Sequence, residues 1–290
     1  MYLQGLLQGA CPRYLKNDRG MIMSDKRVLN VEYEKSHPAL NSSKLRGIAG
    51  LISFSTVIPL NIHTTIEEMA AFTWFWPVIG GLIGIFVGAV GFISLNLLHL
   101  SPLITAALVY SFAIWFTGFH HLDGLMDMGD GLMVHGDHQK KIQVMRDMMV
   151  GTGGISLFFI VAIITFSAIN AIPAGLIFLV LLISEVAAKT SLITCATFSK
   201  PFPDGTGRLF IESMNIKLLV LSFILTSIIG FLAISITGIL GIIGGIIAGA
   251  AVAAVASKQF KYATGDILGA SNEIGRLVSL IVMTTVLIYI

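Results

Sequence analysis

Asp123, Asp127, Asp130, Asp137 and Asp147 lie within Phe119–Gly154, FHHLDGLMDMGDGLMVHGDHQKKIQVMRDMMVGTGG, a polar interruption of an otherwise membrane-grade chain. A carboxylate near hydrocarbon costs roughly 2.5–3.5 kcal/mol at a helix centre on insertion scales, so the cluster asks for a compensating role. On a helix, His120, Asp123, Asp127 and Asp130 occur at i, i+3, i+7 and i+10. At about 100° per residue they share one arc of about 80°. A bound divalent metal explains this best, because Mg²⁺ prefers carboxylate oxygens and relieves their mutual repulsion. Gly124, Gly129 and Gly131 thin the side chains around the acids and leave room for an ion or a phosphate. His121, about 100° around from His120, takes a structural role by ideal geometry. Asp137, His135 and His138 follow the phased stretch and read as ordinary loop residues.

Three further groups could handle an anionic substrate. Lys140, Lys141 and Arg146 flank Asp147 ahead of Gly151, Gly153 and Gly154, whose backbone N–H groups lead into a helix start and form a natural anion site. The same cations also suit positive-inside anchoring. In YATGDILGASNEIGR, 262–276, Asp266 and Glu273 are seven residues apart on one helical face, with Thr264 and Gly265 as the cap and turn that present Asp266. Glu185 and Lys189, at i and i+4 in an apolar run, either neutralise each other or free Lys189 to reach a phosphate. The turn SKPFPDGTGR, 199–208, offers Lys200 and Arg208.

The elements that must position these groups are membrane helices. Of 290 residues, 55% are hydrophobic and 12% charged, and the mean hydropathy is +0.87, far from a soluble balance. The sequence predicts an all-α polytopic helix bundle of about seven spans, near 74–98, 101–118, 155–172, 174–196, 217–236, 238–256 and 276–290. The short run GIAGLISFSTVIPL, 47–60, reads as re-entrant or interfacial. Residues 1–46 read as a poorly ordered N-terminal extension, with Met21 or Met23 as alternative initiators, and 47–290 as the membrane-embedded domain. Lys and Arg crowd the loops at 119–154, 197–216 and 257–276 and avoid those near 97–101, 172–174 and 237. This places every long polar loop in the cytoplasm of a multi-pass cell-membrane protein. A net charge of +2 gives no case for nucleic acid. Cys11 and Cys195 differ too much in setting for a disulfide or a zinc site, and the sequon at Asn41-Ser42-Ser43 reads as accidental.

HLDGLMDMGDG, from His121 to Gly131, fits H-x-D-G-x-x-D-x-x-D-G. With MRDMMVGTGG (145–154), FSKPFPDGTG (198–207) and TGDILGASNE (264–273), it resembles the cobalamin synthase family, the adenosylcobinamide-GDP ribazoletransferases, over roughly residues 44–290. The resemblance implies a Mg²⁺-dependent membrane enzyme whose partners are adenosylcobinamide-GDP, α-ribazole or its 5′-phosphate, and the lipid bilayer; it leaves a homo-oligomer open. It selects His121 as the motif histidine where helix geometry selects His120, so both stay candidates. Many family members carry Tyr and Arg in the 198–207 turn where this chain has Phe198 and Lys200, and Ser-Arg where it has Met148 and Met149.

On this reading Asp123, Asp127 and Asp130 are the metal ligands and His121 is a base or orienting group. Lys140, Arg146 and Lys189 contact phosphate, with Asp147, Lys200, Asp266 and Glu273 completing the substrate site. Two other classes are weighed against it. A CDP-alcohol phosphotransferase shares the opening D-x-x-D-G at Asp127, Asp130 and Gly131, but Val134 and His135 replace its Ala-Arg. A divalent-cation transporter needs acids near the bilayer midplane, whereas these fall in a loop.

Overall fold

The computed structural model describes residues 43–289. Cys11, Met21, Met23, the sequon position Asn41 and most of the N-terminal extension lie outside the described residues. Eleven α-helices follow in order: α1 Ser43–Ser55, α2 Ile66–Ala70, α3 Trp76–Phe92, α4 Pro102–Phe116, α5 His120–Met133, α6 His138–Met145, α7 Thr152–Asn170, α8 Ile177–Phe198, α9 Gly207–Glu212, α10 Ile216–Gln259 and α11 Gly265–Ile288. Helix α1 takes in Ser43–Arg46, which the sequence reading left in the extension, and at 13 residues it is too short to cross a bilayer.

Among the described residues the regular structure is helical, apart from one isolated β-bridge between Pro201 and Ala263. Five helical segments are long and apolar enough to cross a membrane: Thr73–Leu97, Thr152–Asn170, Ala174–Phe198, Ile216–Gln259 and Gly265–Ile288. The bent pair α4 and α5 adds a sixth if counted as one span. Side chains such as Phe159, Ile160, Ile163 and Leu232 remain exposed on the outside of the bundle, as a lipid-facing surface requires.

Helix α8 is the axis of the bundle, with every residue from Ile183 to Ala196 buried. Helix α3 lies against it by small-residue packing. A Cβ at Gly80, Gly84 or Gly88 would come within 2.5, 2.6 or 2.7 Å of the carbonyl oxygens of Glu185, Leu182 and Phe178. The four-residue spacing puts one glycine on each turn of the contact. Arms of α10 and α11 cover the other sides, with a Cβ at Gly245 meeting the Ala187 carbonyl oxygen at 2.5 Å.

Helix α10 is not one straight rod. Ile234 (φ −141°, ψ 37°) and Ser235 (φ 53°, ψ −139°) leave helical geometry, and a Cβ at Gly230 would sit 2.9 Å from the Gly238 carbonyl carbon. Eight residues along a straight helix span about 12 Å, so the chain reverses at 234–235 and α10 is a hairpin of two arms.

The connections sort to opposite ends. At one end, Val57 N–H bonds to the Phe116 carbonyl at 2.9 Å, Phe202 N–H to Ala263 O at 2.9 Å, and Ala263 N–H to Lys200 O at 2.8 Å. Lys141 Nζ reaches Gln259 Oε1 at 2.7 Å there too. At the other, Asn96 Nδ2 donates to the Ala174 carbonyl at 3.2 Å. The Lys- and Arg-bearing loops share the first end, and the second is formed by connections without them.

The last helix departs from the sequence reading. Helix α11 starts at Gly265, not near 276, so the polar knot is helical and much of it is buried. Arg276, read as a loop cation, is buried at 2% exposure.

Candidate active site

Gly118 (φ 66°) and Phe119 (φ 61°) take left-handed conformations in succession, and α5 leaves α4 at 91°. Helix α5 therefore turns across the bundle end and lies outside the five unbroken apolar spans. It rests on the first turns of α7 and α11 through its glycines. A Cβ at Gly124 would be 2.8 Å from Asp266 Cα, one at Gly129 2.7 Å from Gly153 O, and one at Gly131 2.6 Å from Met145 Cγ. These positions are filled by protein, so the glycines serve close packing rather than leaving space for an ion or phosphate as the sequence suggested.

The acids divide by environment. Asp130 is buried, and its Oδ2 and Oδ1 accept the backbone N–H groups of Gly151 at 2.7 Å and Gly154 at 2.8 Å. The anion site at the start of α7 is thus occupied by the chain's own carboxylate, a charge-assisted contact aligned with the helix dipole. Asp123 is exposed and Asp127 half-buried; neither has an ion-pair partner among the described residues. Asp266, also half-buried, accepts the Thr264 hydroxyl at 3.1 Å; Thr264 holds the N-cap position of α11, as the sequence suggested, but its side chain caps no backbone N–H. Burial first, then the charges of Asp266, Asp123 and Asp130, push the Asp127 carboxyl up to about 7. Asp266 lies against α5 at Gly124, where a Cβ would meet its Cα at 2.8 Å, one residue along from Asp123.

No three His, Cys, Asp or Glu side chains among the described residues converge on a single metal position as arranged here. The donor chemistry nevertheless fits a hard cation: Asp123, Asp127 and Asp266 bring neighbouring carboxylates with no positive side chain paired to them.

Behind the acids runs a buried polar chain. His121 is buried, and its Nε2 is in hydrogen-bond contact with Lys189 Nζ. Lys189 Nζ also donates to Asn272 Oδ1 at 2.9 Å, and Asn272 Nδ2 to Glu273 Oε1 at 3.1 Å. Arg276 bonds Glu273 and grips Glu185 in two-point fashion, Nε to Oε1 at 2.6 Å and NH2 to Oε2 at 3.1 Å. Glu185 therefore pairs with Arg276, not with Lys189, and the i, i+4 pairing drawn from sequence does not form. Lys189 and Glu273 are enclosed and present no surface to a substrate in this arrangement. His120 is exposed and stacks on Phe54, centroids 6.3 Å apart at 11°.

Arg146 and Asp147 line a cavity of about 990 Å³ bounded by α6, the 199–206 turn and the 260–264 turn, with Asp137, Gln143, Phe202 and Tyr262 also on its wall. Asp137 caps α6, accepting Lys140 N–H at 2.8 Å, and His138 Nδ1 lies 2.9 Å from Gln259 O. The Arg146 guanidinium sits 4.6 Å over the Phe202 ring and 3.5 Å from Asp204 Oδ2. Lys200 Nζ is 5.4 Å from the Tyr262 ring centre. Lys140 is exposed and is not on the cavity wall. Sequence reasoning missed Asn272 and Arg276 as parts of the polar chain. Their signal was a charged i, i+3 pair, Glu273 and Arg276, continuous with an apolar run.

A family profile described as cobalamin-5-phosphate synthase matches residues 47–284. Curated proteins named adenosylcobinamide-GDP ribazoletransferase are similar along most of their length. That of Methanosarcina barkeri is 33% identical over 81% of this chain and 90% of its own. That of Methanococcoides burtonii is 30% identical over 84% and 93%, and that of Thermococcus kodakarensis 30% identical over 83% and 99%. No solved structure matches.

Proposed function

The chain belongs to the cobalamin-5-phosphate synthase family, and we propose that it joins α-ribazole, or its 5′-phosphate, to adenosylcobinamide-GDP at the acid group on α5 and α11. What supports this reading is the placement of Asp123 and Asp127 on α5 beside Asp266, whose Cα a Cβ at Gly124 would meet at 2.8 Å, with none of the three acids ion-paired among the described residues. Asp123, Asp127 and Asp266 are the residues that would hold Mg²⁺, while Asp130 fixes the α7 start against α5. A bound Mg²⁺ supplies positive charge to offset the substrate diphosphate.

A hydroxyl oxygen of α-ribazole bonds to the cobinamide-linked phosphorus. The bond from that phosphorus to the bridging oxygen breaks, GMP departs with the bond electrons, and the hydroxyl proton passes to water. Phosphoryl transfer through a loose transition state asks little of a protein base. His121, with Nε2 engaged by Lys189, serves to hold α5 against α8 and α11. Arg146 stands ready to hold a phosphate oxygen, and its charge is felt at Asp266.

Counting α3, α4, α7, α8, the two arms of α10, and α11 gives seven crossings in the cell membrane, with α1 interfacial. The basic loops at the acid end then face the cytoplasm by the positive-inside rule. Acids gathered at a bundle end rather than midway along a path favour an enzyme over a transporter. The test is GMP release from adenosylcobinamide-GDP and α-ribazole by the purified protein in lipid nanodiscs, with and without Mg²⁺. Release only with the metal supports the reading, and absence of GMP under both conditions overturns it.

A further inference from the structure

The cavity beside α6 carries several groups besides Arg146, the one lining residue given a part in the transfer step. Phe202 and Tyr262 meet edge to face, with ring centres 5.9 Å apart at 83°, and give it an aromatic wall. Arg146 covers Phe202, and Lys261 Nζ lies 5.6 Å from the centre of Tyr262. Gln143 and Asp147 add an amide and a carboxylate to the lining. One Asp147 oxygen, Oδ1, accepts the Met149 N–H at 3.3 Å; the other has no partner among the described residues.

We propose that this cavity holds the guanine nucleotide end of the substrate, with Asp147 reading the base and Arg146 holding the leaving phosphate. The proposal rests on the ribazoletransferase reading above and adds the direction in which the substrate lies. At about 990 Å³, the cavity is at the upper end of the roughly 300–1,000 Å³ range for small-molecule sites. Aromatic rings and overlying cations form a surface on which a base stacks.

The Asp147 carboxylate decides which base. Guanine presents N1–H and the 2-amino group side by side, two donors that one carboxylate accepts together. Adenine places a bare ring nitrogen beside its amino group and repels a carboxylate there. The dimethylbenzimidazole of α-ribazole has no N–H at all, so it offers the Asp147 carboxylate no donor. Arg146 lies both on the cavity wall and within electrostatic reach of Asp266. A diphosphate running from the cavity past Arg146 therefore arrives at the acid group with its nucleotide end behind it.

The experiment measures binding of GMP, IMP and AMP to the full-length protein in nanodiscs, for wild type and Asp147→Asn. IMP keeps N1–H and lacks the 2-amino group. The wild type should bind GMP about tenfold more tightly than IMP, and AMP more weakly still. Asp147→Asn, at an exposed position, should weaken GMP about tenfold and bring GMP and IMP within about twofold of each other. Equal binding of the three nucleotides by wild type, no measurable GMP binding, or a GMP preference that survives Asp147→Asn each overturns the assignment. Turnover of adenosylcobinamide-GDP by the same wild-type sample separates the two levels. GMP release together with base-blind binding defeats the cavity assignment alone, whereas no GMP release defeats the reaction on which it rests.

Discussion

Asp130 clamps Gly151: its Oδ2 takes the glycine N–H at 2.7 Å while Oδ1 takes that of Gly154 at 2.8 Å. One carboxylate thereby fixes the register between α5, which carries the acids, and the start of α7. An amide in its place can accept at only one atom and turns an N–H₂ against the other N–H. Asp130→Asn should therefore lose about 1.5–3 kcal/mol of stability, read as a lower melting temperature in detergent with or without Mg²⁺. An unchanged melting temperature would show that the clamp is not formed.

Asp127→Asn should behave in the opposite way. It removes a charge from a crowded acid group, so the metal-free protein should melt at the same temperature or higher while turnover falls at least 10³-fold. The pH dependence follows from the same crowding. A carboxyl pushed up to about 7 from an ordinary 3.8 binds its proton more tightly folded than unfolded. Its contribution to stability is therefore full below the ordinary value and lost as pH rises through about 7. Metal-free wild type should melt lower at pH 8 than at pH 6, and Asp127→Asn should show a smaller difference. Equal pH dependence in the two proteins would remove Asp127 as the source.

The contrast between these two aspartates shows what was legible in the chain. Phasing along one helix put Asp127 and Asp130 on the same face, and α5 does form. Their different fates depend on Gly151, Gly154 and Asp266, which come from elements whose packing against α5 leaves no trace in local periodicity. The same reason hid the start of α11. Asn272, Glu273 and Arg276 lower the hydropathy of a helix that is nonetheless buried, because their partners Glu185 and Lys189 sit on α8, far away in sequence. Apolar runs showed where the helices are, including both arms of α10. Nothing local showed which charge would answer which.

Arg276→Met should be the most damaging single change in that buried chain. It strands Glu185 and Glu273, both enclosed, and breaking a buried pair on one side costs about 3–5 kcal/mol. The expected result is loss of a folded, monodisperse peak in detergent. Adding Glu185→Gln and Glu273→Gln to Arg276→Met should restore part of that peak, since no charge is then left alone. If the triple variant is no better than Arg276→Met, the loss comes from packing rather than charge.

Arg146 and Asp204 give the gentlest test. They meet at 3.5 Å with side chains 40% and 81% exposed, and an exposed pair of this kind contributes roughly 0–1 kcal/mol. Asp204 thus holds Arg146 near the cavity without committing it, and on the proposed reading a substrate phosphate would displace the carboxylate at little cost. Asp204→Asn should leave the melting temperature within about a degree of wild type and lower KM for adenosylcobinamide-GDP roughly two- to fivefold at low salt, with kcat unchanged. The gain should shrink as salt is raised, because screening weakens the competing ion pair in wild type as well. Arg146→Ala should raise KM in the variant and in wild type alike, and a gain from Asp204→Asn that persists in the absence of Arg146 would show that Asp204 acts elsewhere.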